Sequence, residues 1–209
     1  MTAMEVPIYK SGKTGRQDVN PGFLGEKVKI KTLSAAVLMY EGNKRVGTHN
    51  TLTRAEISRN KAPRFKQKGL GRGRVRHLQV SQCRGGGVAH GPHPRDYTTH
   101  LPKKERRVAL KAALISKFRD AEVAMVDKFD FSAPRTKELA GILDALSCRN
   151  SALVVDVKPD RNLILSARNL RRVKVCSLAD LNAYDVVYHR ALVLTASAME
   201  ALEEKHSNE

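Results

Sequence analysis

The sequence predicts an α/β fold in which a parallel sheet is flanked by helices and a long basic, glycine-rich loop is inserted after the N-terminal segment. Three observations predict it. From residue 102 onward, short apolar runs alternate with helical patterns, which is the order that gives a parallel sheet with helices on its faces. Residues 152–157 form an almost continuous apolar run, as in a strand buried on both faces. Residues 46–101 follow neither the helical nor the strand period.

Residues 1–45 are predicted to form the N-terminal part of the globular body. Val6 and Ile8 indicate a short strand, which is followed by a stretch rich in glycine and proline that ends at Gly25. Apolar alternation returns at 28–30. Between residues 32 and 40 the apolar side chains recur at helical spacing and predict a helix.

Residues 102–209 are predicted to form the rest of the body. Pro102 suits the first position of a helix. Proline has no backbone N–H, and an N–H at that position would have no acceptor within the helix. The elements that follow are a strand at 123–127, a helix opened by Ser132 and Pro134, a strand at 152–157, a helix through Leu163, Ala167 and Leu170, strands at 173–176 and 191–194, and a final helix with Ala196, Met199 and Leu202.

The charge of the chain is strongly basic and unevenly distributed. Lysine and arginine number 38 against 21 acids, a formal charge of +17. Residues 54–107 hold fifteen of the basic residues and three of the acids. A surplus of this size indicates a polyanionic partner, because cations that neutralise phosphates release condensed counterions. The alternative is a basic surface that serves solubility only.

The predicted loop, residues 46–101, holds too few apolar residues to offset its ordering entropy. Seven glycines lie between positions 69 and 91. We therefore expect the free loop to be disordered or loosely structured and to order on RNA. A simple linker would not need so much positive charge.

Cysteine and histidine spacing predicts neither disulfides nor a metal site. Cys83, Cys148 and Cys176 lie far apart, and their odd number argues against a disulfide framework. Five of the seven histidines fall between His49 and His100, but in no common zinc-ligand pattern. The first residues do not resemble a signal peptide and no apolar run could cross a membrane, so a cytosolic protein without a membrane partner is expected.

An enzyme of α/β fold is the alternative from a different functional class, either nucleotide-dependent or acting on nucleic acid. The glycine-rich segment 68–74 lacks the preceding strand and the lysine–serine/threonine ending of a phosphate-binding loop. Asp127 and Asp156 follow predicted strands and could be catalytic by position, although such residues more often cap helices. We predict no catalytic residue and no cofactor. A free RNA chaperone or nucleoid protein is a third alternative.

Glycine interleaved with arginine suits RNA, because the backbone can approach closely while guanidinium groups reach phosphates or stack on bases. The segments 68–74 and 84–87 both have this composition, and the three glycines of 84–87 predict a turn that bulky residues could not follow. A second basic cluster is either a solvated face or an auxiliary RNA contact; it consists of Arg168, Arg171, Arg172 and Lys174.

Several motifs taken together resemble the L4 family of large-subunit ribosomal proteins, in the right order over nearly the whole chain. They are Gly47-Thr-His-Asn-Thr51, Thr53-Arg-Ala-Glu-Ile-Ser58, Gln67-Lys-Gly-Leu-Gly-Arg-Gly-Arg74, Arg84-Gly-Gly-Gly-Val88, Gly91-Pro-His-Pro-Arg-Asp-Tyr97, Leu101-Pro-Lys-Lys104, Ala133-Pro-Arg-Thr-Lys-Glu138, Asn162-Leu-Ile-Leu-Ser-Ala-Arg-Asn-Leu170 and Asn182-Ala-Tyr-Asp185. Because the chain ends at Glu209 without a long C-terminal extension, it resembles bacterial members, with organellar ones as the alternative.

The resemblance implies a structural protein of the ribosome with a globular α/β body and a basic loop that threads through large-subunit rRNA. It further implies that the loop tip, Lys68, Gly69, Leu70 and Gly71, helps to line the peptide exit tunnel near ribosomal protein L22. Some bacterial members also repress their own operon by binding its mRNA, which would be a second RNA partner.

The resemblance also supplies the predicted RNA-binding residues. Those carried over from the family motifs are Arg54, Lys66, Gln67, Lys68, Gly69, Gly71, Arg72, Arg74, Arg84, Gly85, Gly86, Gly87, Arg95, Asp96, Tyr97, Lys103 and Lys104, as RNA contacts or loop-shaping residues. The basic segment adds Arg59, Lys61, Arg64, Phe65 and Arg76. Phe65 and Cys83 stand where the family usually has tryptophan, so a base-stacking role is not carried over to Cys83.

Overall fold

The computed structural model describes residues 4–10, 12–25, 28–73 and 77–207, which belong to two compact units. We call the first unit, Met1–Glu41 with His100–Glu209, the body. We call the second unit, Gly42–Thr99, the insertion.

The helices and strands alternate through most of the body. In chain order they are β1 (Met4–Lys10), β2 (Lys13–Val19), a 3₁₀ turn (Pro21–Leu24), α1 (Ile30–Asn43), α2 (Lys103–Arg119), β3 (Val123–Val126), α3 (Thr136–Ala145), β4 (Ala152–Asp156), α4 (Arg161–Arg168), β5 (Val173–Ser177), α5 (Ala183–Tyr188), β6 (Ala191–Thr195) and α6 (Ala196–Ser207).

The strands of the described chain form one sheet in the order β2-β1-β3-β6-β4-β5. β1 and β2 form an antiparallel hairpin at one edge, and every other neighbouring pair is parallel. The predicted α/β fold with a parallel sheet flanked by helices is confirmed, with the addition of one antiparallel edge strand.

Two hydrophobic cores lie on the two faces of the sheet, because successive residues of a strand point to opposite faces. In β4, Leu153 and Val155 belong to one core, while Ala152 and Val154 belong to the other. Side chains of α1, α2, α5 and α6 join the first core, and side chains of α3 and α4 join the second. Because helices cover both faces, the central strands are apolar at consecutive positions.

Two elements were not predicted from the sequence. All residues of β2 except Val19 are exposed, so the strand shows no apolar alternation and depends on backbone pairing with β1. The helix α5 has only six residues, too few to show a period. Its start is marked by Asn182, whose side-chain oxygen accepts a hydrogen bond from the Asp185 N–H at 2.8 Å.

Some predicted boundaries were wrong by a few residues. The alternation at 28–30 forms no strand, because Ile30 is the first residue of α1. Pro102 directly precedes the first residue of α2. α3 begins at Thr136, beyond Ser132 and Pro134, and the Arg135 N–H that precedes it donates to Ser166 Oγ at 2.9 Å. α4 ends at Arg168, so Leu170 packs against the core from outside the helix.

Lys117 is a buried cation of α2 and gives a test of the body's stability. It is 9% exposed; its Nζ lies 2.6 Å from Glu122 Oε2 and donates to the Arg190 carbonyl oxygen at 2.8 Å. We expect Lys117→Ala to lower the free energy of unfolding by about 2 to 3 kcal/mol, because both acceptors lose a charged donor. Urea denaturation followed by circular dichroism measures this. The control Lys158→Ala, at an exposed position, should stay within about 0.5 kcal/mol of the wild type; equal stability of the two variants would contradict the prediction.

In the part of the chain that the structure describes, none of the helices is long and apolar enough to cross a membrane.

Candidate RNA interface

The insertion consists of two arms that run side by side in opposite directions and a tip between them. We call residues 42–59 the first arm, residues 77–99 the second arm and residues 60–73 the tip. Hydrogen bonds join the arms at four successive levels. The Asn43 side chain bonds to the backbone of Thr99 through both its amide nitrogen and its amide oxygen. Further along the arms, the Arg95 N–H donates to Gly47 O at 3.2 Å, the Thr51 N–H to Pro92 O at 3.1 Å, and the Val88 N–H to Leu52 O at 2.9 Å. The described residues from 44 to 99 form no helix or strand, so these bonds and side-chain contacts shape the unit.

Gln79 is the central connection between the arms. It is 4% exposed, and its side-chain amide donates to the carbonyl oxygens of Ile57 at 2.8 Å and Arg59 at 3.0 Å. The main-chain carbonyl oxygen of Gln79 accepts a hydrogen bond from the Gly87 N–H at 2.9 Å. Arg59 adds a second connection, because its Nη1 donates to the Arg84 carbonyl oxygen at 2.8 Å. Arg59 therefore contacts protein backbone at this position.

The glycines at 86 and 87 permit two close backbone contacts, the first within the second arm and the second between the arms. A Cβ on Gly86 would overlap the Val80 carbonyl oxygen, and a Cβ on Gly87 would overlap the Arg54 amide nitrogen. Both obstacles are backbone atoms, which cannot turn away as a flexible side chain can. A larger residue at position 87 would force the arms apart at this level, whereas one at position 86 would distort the turn within the second arm.

The two acids of the insertion are engaged in local turns. Glu56 Oε2 accepts hydrogen bonds from the Thr53 N–H at 2.7 Å and the Thr53 hydroxyl at 3.0 Å, which closes a single helical turn. Asp96 Oδ1 accepts from the Thr98 N–H at 2.8 Å and the Thr98 hydroxyl at 2.6 Å. These hydrogen bonds hold the pKa of both carboxyl groups below its ordinary value. Both acids thus stay ionised and locally bound.

Aromatic rings in the insertion are flanked by guanidinium groups. The Arg45 and Arg95 guanidinium carbons lie 4.0 and 4.3 Å from the centroid of the Tyr97 ring. In the tip, those of Arg64 and Arg72 lie 5.5 and 5.1 Å from the centroid of the Phe65 ring. Such contacts stabilise the cations and present flat surfaces on which a base can stack.

The tip is exposed throughout and curves around a shallow depression. Residues 63 and 65–73 line this depression, with Phe65 and Leu70 as its large apolar side chains. Gly69 has a φ of +88°, in the left-handed region that favours glycine, and the space beside it is open. The stretch from residue 57 to residue 73 contains no acid, so every formal charge in it is positive.

The predicted RNA-binding residues fall into several environments. Those exposed in the insertion are Arg54, Arg59, Lys61, Arg64, Phe65, Lys66, Gln67, Lys68, Gly69, Gly71, Arg72, Arg84, Gly85, Arg95 and Asp96, with Leu70 of the predicted tunnel tip. Gly86 and Tyr97 are half-buried and Gly87 is buried, as shaping residues would be. Lys103 and Lys104 are exposed in the body as the first residues of α2. Arg74 and Arg76 lie outside the described residues. The RNA-binding role of all these residues stays a prediction.

Three residues that the structure brings into view were not predicted from the sequence. Gln79 had no signal, because a lone glutamine in an irregular segment resembles a solvated residue. Arg45 lay just outside the predicted loop, yet it contacts Tyr97. The Arg106 Nε is buried without a hydrogen-bond partner among the described residues, beside Lys103 and Lys205 on the body.

The residues considered for catalysis have structural partners. Asp156 Oδ1 accepts hydrogen bonds from the Thr195 hydroxyl and the Val157 N–H, both at 2.8 Å. Asp127 is exposed and lies 3.9 Å from the Lys10 ammonium group. Among the described residues, no three His, Cys, Asp or Glu side chains are grouped so that they could hold a metal ion.

Gln79 gives a direct test of how the arms are joined. We expect Gln79→Ala to lower the free energy of opening of the insertion by about 2 kcal/mol, because two carbonyl oxygens lose their donor. Hydrogen exchange should then accelerate at the Gly87 and Val88 amides. The matched control is Gln82→Ala, since Gln82 is exposed in the same arm. Unchanged exchange in the Gln79 variant would show that the side chain does not hold the arms.

Comparison with known proteins identifies the family. A family model described as "Ribosomal protein L4/L1 family" matches residues 17–205. Three bacterial relatives carry the name "Large ribosomal subunit protein uL4". That of Symbiobacterium thermophilum is 43% identical over 202 residues, covering 96% of this chain and 98% of the relative. That of Thermoanaerobacter sp. is 37% identical over 205 residues, covering 97% and 99%. That of Moorella thermoacetica is 39% identical over 192 residues, covering 92% and 93%.

The chain therefore belongs to the ribosomal protein L4/L1 family. This confirms the resemblance drawn from the sequence motifs, including its bacterial type. The family consists of structural ribosomal proteins, so the chain is not an enzyme and acts as part of the ribosome in the cytoplasm.

Proposed function

We propose that this chain is a structural component of the large ribosomal subunit and that the insertion is its principal contact with large-subunit rRNA. The observation that carries the proposal is the charge arrangement of the insertion. Its sequence holds thirteen basic residues and two acids. Hydrogen bonds to Thr53 and Thr98 engage both acids, while the described cations of the tip are exposed.

Binding follows from this arrangement in two steps. Exposed lysine and arginine side chains neutralise phosphates and release counterions, which supplies most of the affinity. Because Gln79, Arg59 and the close approach at Gly87 hold the arms together, less of the chain has to be ordered when RNA binds. The guanidinium groups over the Tyr97 and Phe65 rings then supply flat surfaces on which unpaired bases can stack.

The proposed roles in subunit assembly and in lining the exit tunnel rest on family membership together with the exposed tip. We propose that the insertion supports assembly of the subunit and that Lys68, Gly69, Leu70 and Gly71 help to line the peptide exit tunnel beside ribosomal protein L22. The chain's own mRNA is proposed as a second RNA partner. The exposed, acid-free tip supports these roles, because it can enter a space walled by RNA.

Sedimentation separates this function from that of a free RNA chaperone. The wild-type chain should remain with large subunits in high-salt gradients, whereas a chain whose residues 60–76 are replaced by a glycine–serine linker should be released. The replacement leaves the body sequence unchanged, and circular dichroism checks that the body still folds. Release of the wild-type chain under these conditions would favour the chaperone.

The tunnel assignment is tested by reversing one charge at the tip. In the family the loop tip lies beside the site where macrolide antibiotics bind, so we expect Lys68→Glu to give assembled ribosomes whose affinity for these drugs is lowered severalfold. Two unit charges 4 Å apart interact by about 4 kcal/mol at an effective dielectric of about 20, so even a screened fraction would displace the tip from RNA. Drug affinity is measured on purified ribosomes with the occupancy of the protein checked. Lys158→Glu, at an exposed position of the body, is the control; a normal response of fully occupied Lys68→Glu particles would place the tip elsewhere.

A further inference from the structure

A groove on the body lies at the end of the sheet where β1 and β3 finish, beside α3. Its floor is apolar: Tyr9 near the end of β1, Phe131 after β3 and Ile142 of α3 are half-buried and pack against the second core. Phe131 stacks on the buried Phe129, with ring centroids 6.1 Å apart and ring planes inclined by 20°. Each floor side chain therefore belongs partly to the core and partly to the groove.

Gly141 leaves one wall of the groove without a side chain. It lies in the interior of α3, where glycine is less favourable than alanine because it loses more conformational freedom on folding. A Cβ built on Gly141 meets no heavy atom of the described chain within 4 Å. By contrast, a Cβ on Gly42, the glycine of α1, would lie 3.3 Å from the Tyr97 carbonyl oxygen. No contact within the described chain accounts for a glycine at position 141, so the space that it leaves open is available to another molecule.

The rim of the groove carries charges of both signs. The described lining holds three acids and two lysines, namely Asp127, Asp130, Glu138, Lys128 and Lys137. Asp127 lies 3.9 Å from the Lys10 ammonium group and Glu138 lies 2.8 Å from the Arg135 guanidinium group, and such exposed pairs are weak. No hydrogen bond or ion pair joins Asp130 to another described residue. Acids thus outnumber cations in the described lining, whereas cations outnumber acids by 38 to 21 in the whole chain.

This composition favours a polypeptide over RNA as the occupant. The three carboxylates of the rim would repel phosphates, and the two lysines do not outnumber them. Protein interfaces, by contrast, have an apolar and often aromatic centre inside a polar rim, and their strongest contacts are side chains that fill a pocket. The floor of Tyr9, Phe131 and Ile142 inside its charged rim has this arrangement.

We propose that this groove binds a segment of another large-subunit ribosomal protein, which places a large apolar side chain on the floor and an arginine or lysine against Asp130. The proposal rests on the proposed function, because the partner is a component of the same subunit. The segment passes over Gly141, where the absence of a side chain lets it approach α3. Arginine suits this place, because a guanidinium group can stack on an aromatic ring and donate paired hydrogen bonds to a carboxylate.

Cross-linking in purified large subunits identifies the occupant. A photoreactive phenylalanine analogue in place of Phe131 keeps an aromatic ring in the groove, and the same analogue in place of Val187, exposed on α5, is the control. We expect the probe at Phe131 to cross-link to one ribosomal protein, at a peptide where a large apolar residue lies close to an arginine or lysine. The control should not label that peptide. Cross-links only to rRNA, or only to a second copy of this chain, would overturn the proposal.

A synthetic peptide of the cross-linked sequence then measures binding to the free full-length chain by fluorescence anisotropy. Gly141→Leu fills the open space and should lower the affinity about tenfold, while circular dichroism checks that the variant folds. Ala145→Leu is the matched control, because Ala145 is exposed on the same helix and outside the lining. Asp130→Asn should lower the affinity about threefold and weaken its salt dependence. Asp18→Asn, at an exposed position paired with the start of β1, should change neither.

The variant Gly141→Ala separates binding from folding. We expect its melting temperature to rise by about 2 to 4 °C, because alanine is the better helix former, while its affinity for the peptide falls. A higher melting temperature with unchanged affinity in both Gly141 variants would overturn the proposal. Particles that contain the chain in full occupancy but give no protein cross-link from Phe131 would defeat this inference alone. Absence of the wild-type chain from large subunits would defeat the proposed function as well.

Discussion

Gly87→Ala is expected to force the arms of the insertion apart and to weaken rRNA binding by about two orders of magnitude. The new Cβ would overlap the Arg54 amide nitrogen and lie 2.6 Å from the Arg54 Cα, so the backbone itself must move. The bonds from Gly87 N to Gln79 O and from Val88 N to Leu52 O, both 2.9 Å, would then be lost. Losing these bonds and the order of the arms costs about 3 kcal/mol, and 1.4 kcal/mol corresponds to about tenfold.

Gly73→Ala is the matched control for this variant. Among the described residues, no heavy atom lies within 4 Å of a Cβ placed on Gly73, and its φ is not in the left-handed region. The measurement is rRNA affinity together with hydrogen exchange, which should show faster exchange in the second arm of the Gly87 variant and an unchanged body. Equal affinity of the two alanine variants would mean that the close approach at Gly87 has no part in binding.

Removing the cations of the tip is expected to have the second large effect. Arg64, Lys66, Lys68 and Arg72 are exposed in a segment that contains no acid. If each contacts one phosphate, replacing all four with alanine should make the log–log salt slope shallower by about 3, at about 0.7 to 0.9 per contact. The affinity at low salt should fall by about two to three orders of magnitude.

A body variant with the same change of charge shows whether the position of the cations matters. Lys128, Lys137, Lys158 and Arg161 are exposed cations of the body. Alanine at these four positions should change the salt slope by less than about 1. If the rRNA affinity of both quadruple variants falls by the same factor, binding depends on net charge alone and the tip has no special role.

The sequence predicted the parts of the fold that depend on repeated apolar positions. The strands β3, β4, β5 and β6 and the helices α3 and α4 bury consecutive or regularly spaced side chains, which leave a pattern along the chain. β2 leaves no such pattern, because six of its seven residues are exposed and it is held by backbone hydrogen bonds. The six residues of α5 are too few to show a helical period.

The candidate site was predictable in composition but not in architecture. Clustered arginine, lysine and glycine indicate RNA by themselves, because charge and backbone freedom can be counted along the chain. The role of Gln79 could not be predicted, because its partners Ile57 and Arg59 lie some twenty residues away and are backbone carbonyls, which any residue possesses. Likewise, the groove beside Gly141 depends on Tyr9 of β1 and on Phe131 after β3, which only the fold brings together.

The central claim is that the insertion contacts rRNA inside the large subunit, and site-specific cross-linking tests it most directly. A photoreactive phenylalanine analogue at Phe65 replaces one aromatic ring with another, and the same analogue at the exposed Ile164 of α4 is the control. In purified large subunits we expect the probe at Phe65 to cross-link to large-subunit rRNA at one or a few neighbouring nucleotides, and the probe at Ile164 to do so weakly. Cross-links from Phe65 only to protein, on particles that contain the chain in full occupancy, would contradict the account.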